Sequence, residues 1–88
     1  MLNVAYSKKF LKSLSKLPKN IQNKAIAKDE IFRNNPFDTM LKTHKLHGKQ
    51  KEEWAYSMDN SYRAIFIFLE DEEALFLDIG THDQLYGK

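Results

Sequence analysis

Between Ser61 and Tyr86 the chain reads SYRAIFIFLEDEEALFLDIGTHDQLY. Tyr62 to Leu69 is a run of β-branched and aromatic residues broken by one charge, Arg63, and it predicts a strand. Glu70-Asp71-Glu72-Glu73 is polar enough to be a hairpin turn. After it Ala74, Leu75, Phe76, Leu77 and Ile79 predict a second buried strand, too short to span a membrane. Gly80 is expected to break that strand by supplying backbone angles that other residues avoid. Thr81, His82, Asp83 and Tyr86 follow, so a histidine and a tyrosine stand at the mouth of a rigid element.

Working outward, Asp59-Asn60-Ser61 has turn chemistry, and Trp54, Tyr56 and Met58 alternate with Ala55 and Ser57 as in a half-buried strand. Phe37 to Gly48 reads as a loop anchored by Phe37, Met40 and Leu46. Upstream, Asn34-Asn35-Pro36 ends a helix from Lys19 to about Arg33, because the residue before proline is pushed out of helical geometry. Ile21, Ala25 and Phe32 share a face of that helix; Ile26 and Ile31 blur its register. Before Pro18, Phe10, Leu11, Leu14 and Leu17 recur at helical spacing behind Ser7 as N-cap. Leu2, Val4 and Tyr6 alternate as in a short first strand. The expected order is β-α-α-β-β-β. The fold class is α+β, a helix hairpin packed on a largely antiparallel four-stranded twisted sheet, in one domain spanning residues 1–88.

Composition removes several classes of function. Without cysteine there is no disulfide, no thiolate metal site and no cysteine nucleophile. MLNVAYSKKF has no long apolar core of a secretory leader, and a soluble, cytoplasmic protein away from the membrane is expected. Charge is segregated. Residues 1–51 carry twelve Lys/Arg against three Asp/Glu, and residues 52–88 carry two against nine. That asymmetry fits a basic face for a polyanion or an acidic peptide, or simply lysines coating exposed helices.

A few side chains can carry chemistry. Arg63 must face solvent, an acid such as Asp78, or an anionic ligand, since an unpaired buried guanidinium is costly. Its fork suits phosphate. His82 suits general acid–base work, since imidazole is the side chain made for proton transfer near neutral pH; a structural role is the plainer alternative. Tyr86 can stack on a base or pack the C-terminus against the sheet. His44 and His47 form an H-x-x-H pair, but with no cysteine and no H-E-x-x-H helix no metal is expected, and no cofactor fingerprint is present. Trp54 and Tyr56 can stack bases or fill the core.

THKLHG at 43–48, SYRAIFIF at 61–68 and DIGTHDQLY at 78–86 resemble the RelE/ParE superfamily of toxin–antitoxin systems, closest to its YafQ-like mRNA-interferase branch. The resemblance runs over nearly the whole chain. It implies a type II toxin, a ribosome-dependent endoribonuclease acting on mRNA in the A site without metal and held inactive by a cognate antitoxin protein. By position His44, Arg63, His82 and Tyr86 match the family's catalytic side chains, and Lys49, Lys51, His47 and Tyr56 are expected to hold RNA or phosphate. Ser57 and Ser61 stand where YafQ-like proteins carry a further histidine and an aspartate, and Trp54 and Tyr56 stand where RelE carries lysines. Those departures leave two alternatives: a ParE-like toxin that inhibits DNA gyrase without catalysis, and an inactive antitoxin-binding relative.

Overall fold

A computed structural model describes residues 1–46 and 52–87. The elements are β1 (Asn3–Tyr6), α1 (Lys8–Ser15), α2 (Lys19–Asn34), β2 (His44–Lys45), β3 (Trp54–Ser57), β4 (Tyr62–Leu69), β5 (Glu73–Thr81) and α3 (His82–Tyr86). The class is α+β as expected. Two elements exceed the reading: among the described residues the sheet has five strands, and a short helix follows the last one. β2 escaped notice because a two-residue strand has no periodicity to read. It exists because His44 and Lys45 pair antiparallel with Ala55 and Trp54.

The sheet order is β1-β5-β4-β3-β2. β1 lies parallel to β5, and the other pairings are antiparallel. A parallel pairing needs a crossover, which the helices and the meander provide. Ser7 caps α1, its Oγ accepting from Phe10 N at 3.0 Å and donating to Leu77 O at 2.9 Å. The cap therefore also fixes α1 beside the half of β5 that β1 does not reach.

Both helices bury one side on the same face of the sheet. α1 supplies Phe10, and α2 supplies Ile21, Ala25 and Phe32. Phe32 is fully buried, with ring centroids 4.8 Å from Phe66, 5.1 Å from Phe76 and 5.4 Å from Tyr56. Leu11, which fits the apolar pattern, and Ile26, which blurred the register of the second helix, remain exposed at the helix surface. Between β1 and α2 a polar knot closes the edge: Tyr6 donates to Asp29 Oδ1 at 2.9 Å, and Arg33 donates to both. Burial raises the Tyr6 hydroxyl above its ordinary value, against the opposing pull of Arg33.

The β5 pattern contains a β-bulge. Phe66 pairs with Phe76, but Ile65 pairs with Asp78, so Leu77 is the extra residue. Ala74 and Phe76 point into the core before the bulge, and Ile79 does so after it. This explains why the run from Ala74 to Ile79 shows no clean alternation. The hairpin turn holds Asp71 and Glu72 at positive φ, 62° and 58°.

Removing the Phe32 ring leaves a cavity at the meeting point of sheet and helices. Phe32→Ala should lower unfolding free energy by about 3–5 kcal/mol, read as the shift in urea midpoint. At the β3–β4 turn, Asp59 Oδ1 accepts from Ser61 N and Tyr62 N, both at 2.9 Å, and the backbone donor of Ser61 leads in holding its carboxyl below the ordinary range. A depressed folded value means stability that is present above the ordinary carboxylate pKa and lost as pH falls through the depressed one. Asp59→Asn should therefore be less stable than wild type at pH 7 and converge with it in acid denaturation once the pH has fallen through the depressed carboxyl value.

Candidate active site on the open face of the sheet

Directly opposed residues in an antiparallel sheet share a face. Tyr56, Ala64 and Ile79 form one such row and Phe66 with Phe76 another, all buried on the helix side. The opposite face carries the row Ser57–Arg63–Gly80 and, beside it, the row His44–Ala55–Ile65–Asp78. Arg63 is half-buried, and among the described residues no carboxylate lies within ion-pair distance of it. The cross-strand partner considered for it, Asp78, is engaged elsewhere, taking Lys9 Nζ at 3.5 Å and Ser13 Oγ at 2.7 Å.

His82 and Tyr86 reach this neighbourhood on α3. Thr81 Oγ1 accepts from Gln84 N at 3.2 Å, while Gln84 Oε1 accepts from Thr81 N at 2.8 Å, a reciprocal capping box. Gly87, at φ 77°, ends the helix and donates to Asp83 O at 3.1 Å. His82 and Tyr86, four apart, share a side of the helix with ring centroids 4.5 Å apart at 60°. His82 is well exposed, its Nδ1 3.9 Å from Asp83 Oδ1.

Gly80 is needed for a different reason from the one its sequence position implied. β5 runs through it to Thr81, and its φ is not in the left-handed region. A Cβ there would lie 2.6 Å from Gln84 Oε1 and 3.2 Å from Gln84 Cβ. The glycine is thus a seat into which the capping glutamine folds, directly across from Arg63.

Backbone register brings Arg63, His82 and Tyr86 to one end of the open face. Gly80 is one strand spacing from Arg63, and His82 is two residues further on. His44 stands on β2, three strands from Asp78 in the same row, on the order of 14 Å away at normal strand spacing. Its Nδ1 lies 3.0 Å from Lys42 O, a contact that requires Nδ1–H and leaves Nε2 as the free basic nitrogen of the neutral ring. His47, Lys49 and Lys51, expected to hold RNA, lie outside the described residues.

Tyr56 corrects the reading. It is 2% exposed on the helix side, packed on Phe32, Phe66 and Phe76, and cannot stack on a base. Burial drives its hydroxyl far above the ordinary tyrosine range. Trp54 lies on that same side, against Phe37 and Phe68. Trp54 and Tyr56 therefore face away from Arg63, and Ser57 is the β3 side chain beside it.

No protein-family model matches the sequence, and no curated protein matches it. Solved structures do. YafQ from E. coli strain BL21(DE3) superposes with a TM-score of 0.81 at 24% identity, over 99% of this chain and 100% of that one. YafQ in the E. coli DinJ–YafQ toxin–antitoxin complex gives 0.79 at 24% identity, with 98% of each chain covered. The archaeal RelE–RelB complex from Pyrococcus horikoshii OT3 gives 0.75 at 20% identity, over 91% and 93%. The chain has the YafQ/RelE fold.

Within the YafQ/RelE fold, sequence reasoning missed Gln84 and Glu53 and read Asp78 only as a partner for Arg63. T-H-D-Q at 81–84 is a capping-box pattern, and it was the available signal for α3. Asp78 and Glu53 line, with Ile65 and Tyr86, a cavity of about 590 Å³ on the open face. No residue spacing foretells a wall assembled from four separate elements.

Gly80→Ala should push Gln84 off its seat and release α3. We expect about 1–3 kcal/mol of destabilisation in thermal unfolding and faster amide exchange at residues 82–86. Thr81→Ala, which removes the cap but leaves the seat, should give the same exchange signature for about 1 kcal/mol.

Proposed function

We propose that this chain is a RelE/ParE-superfamily toxin of a type II toxin–antitoxin system, acting as a ribosome-dependent mRNA endoribonuclease of the YafQ-like kind. The observation that carries the reading is the register that sets Arg63, without an ion-pair partner among the described residues, opposite Gly80, with His82 and Tyr86 on the capped helix that starts just beyond. It is supported by the family motifs at 43–48, 61–68 and 78–86 and by a fold shared over almost the entire chain.

The reaction these groups suit is attack of a ribose 2′-oxygen on the adjacent phosphorus with expulsion of the 5′-oxygen. It leaves a 2′,3′-cyclic phosphate and a 5′-hydroxyl. A base takes the 2′ proton and an acid returns one to the 5′-oxygen. Arg63 neutralises charge on the phosphorane, where a fixed fork of donors has its largest effect. His82 serves as acid or base, Tyr86 orients a base or the scissile phosphate, and His44 is the second proton-transfer group. Because His44 stands across the sheet from His82, the RNA has to be bent or held for both to act at one phosphate. The ribosomal A site is the partner that would hold it. Lys49 and Lys51 contribute general phosphate attraction.

The second protein partner is a cognate antitoxin, as the toxin–antitoxin complex of YafQ with DinJ indicates for that toxin. An acidic segment that folds on binding fits the lysines of α1 and α2. One observation favours the non-enzymatic, gyrase-inhibiting reading: Ser57, not a histidine, stands beside Arg63.

Expression of wild type should arrest growth and produce discrete cuts within translated mRNA, mapped by primer extension. Arg63→Ala should slow cutting by about 10²–10³-fold, the scale of removing one transition-state donor, and His82→Ala should abolish the cuts. Growth arrest with intact mRNA and a DNA-damage response would replace the nuclease with the gyrase reading.

A further inference from the structure

On the open face, beside Arg63, the cavity of about 590 Å³ has a size typical of small-molecule sites. It is lined by Ile65 and Leu77 of the sheet, Leu46 and Glu53 beside β3, Leu85 and Tyr86 of α3, and Lys9 of α1. Asp78 lines it too. The bulge turns Asp78 there: with Leu77 as the extra residue, Asp78 falls opposite Ile65 and shares its face. Ile65 is two residues from Arg63 on the same strand face. That step, roughly 7 Å along a strand, is comparable with the span from a nucleotide's phosphate to its base.

Asp78 is held as an acceptor. Its Oδ1 takes Ser13 Oγ at 2.7 Å and Ile79 N at 2.8 Å, so the carboxylate cannot rotate away. Among the described residues its Oδ2 has only the highly exposed Lys9 ammonium, at 3.5 Å and itself in the cavity lining, and keeps lone pairs for another donor. Glu53 supplies a second carboxylate across the cavity. Carboxylates accept and do not donate. They accept well from the exocyclic amino group of cytosine, and a base presenting a carbonyl oxygen at that position meets two like dipoles.

We propose that this cavity is a base-reading subsite for the nucleotide whose phosphate Arg63 holds, with Asp78 and Glu53 selecting amino-bearing bases over uracil. The inference rests on the ribonuclease reading above and adds its substrate preference. Apolar contact with Ile65 and Leu77 and the ring of Tyr86 hold any base; the carboxylates discriminate among them.

The test compares trinucleotides of 2′-O-methylcytidine and 2′-O-methyluridine, which cannot be cleaved by 2′-OH attack and differ at the amino group without changing ring size. Binding to the full chain is followed by amide chemical shifts. Cytidine should bind about tenfold more tightly than uridine, the scale of one good base contact. Asp78→Asn keeps an oxygen for Ser13 and Ile79 and offers an amide to the uracil carbonyl, so it should close the gap chiefly by strengthening uridine. Glu53→Gln should narrow it without touching the Ser13 contact. Dispersion in the same spectra shows that each variant is folded. Equal affinities in wild type, or a gap that survives both substitutions, would overturn this inference and leave the nuclease reading standing. Shifts with neither trinucleotide at millimolar concentration would overturn this inference too, and the ribosome-dependent nuclease reading would still stand or fall by the primer-extension result.

Discussion

Eight residue pairs join β4 to β5, from Tyr62–Thr81 to Leu69–Glu73, and the rest of the molecule is arranged by that register. A one-residue slip of β4 would turn Phe66 out of the core and Arg63 into it. The bulge at Leu77 lets both demands be met along one strand. Ala74 and Phe76 face the helices at one end, while Asp78 and Gly80 face the open side at the other. Phe32 from α2 fills the space above this pairing, in edge contact with both Phe66 and Phe76, so helix position and strand register reinforce each other. The same pairing that builds the core sets Arg63 opposite Gly80.

The site is an extension of that register through α3. A five-residue helix cannot persist in water by propensity alone. It persists here through the Thr81–Gln84 capping box, the left-handed Gly87 and the seat that Gly80 leaves for the glutamine. His82 and Tyr86 are consequently placed by backbone hydrogen bonds and by one missing side chain, while their own rings stay exposed for a ligand. The partly open trough beside them, lined by Ile65 and Leu77, follows from the absence of a second helix layer on this face among the described residues.

The order of the long elements was legible in the sequence, because burying a face imposes a period. Phe10, Ile21, Ala25 and Phe32 are buried as that period requires, and the run from Tyr62 to Leu69 is a strand. What escaped reading depends on contacts distant in the chain. β2 exists only through its pairing with β3, and the bulge only through the mismatch of β4 and β5. Tyr56 looked like a stacking platform because alternation tells that a strand has two faces but not which one the helices cover. Arg63, His82, Tyr86 and His44 could be nominated as chemistry-bearing groups. The separation of His44, two strands from the strand of Arg63 and three from the one that leads to His82 and Tyr86, could not. Asp78 looked like a partner for Arg63 and is instead turned to Ser13 and Lys9.

Charge segregation fits this architecture. Six lysines of the first half lie on α1 and α2, and Glu70, Asp71, Glu72 and Glu73 gather at the β4–β5 turn, at the other end of β4 from Arg63. A polyanion approaching the open face meets Arg63 as the strand's own cation, and its phosphate would be gripped where the two histidines and the tyrosine can be brought to bear. The most direct measurement of that account is the end chemistry of mRNA cut by purified protein on programmed ribosomes in EDTA. A 2′,3′-cyclic phosphate with a 5′-hydroxyl, and no cutting when the scissile ribose carries a 2′-O-methyl group, is the predicted result. Cutting that survives the 2′-O-methyl group, or that leaves a 5′-phosphate, would contradict it.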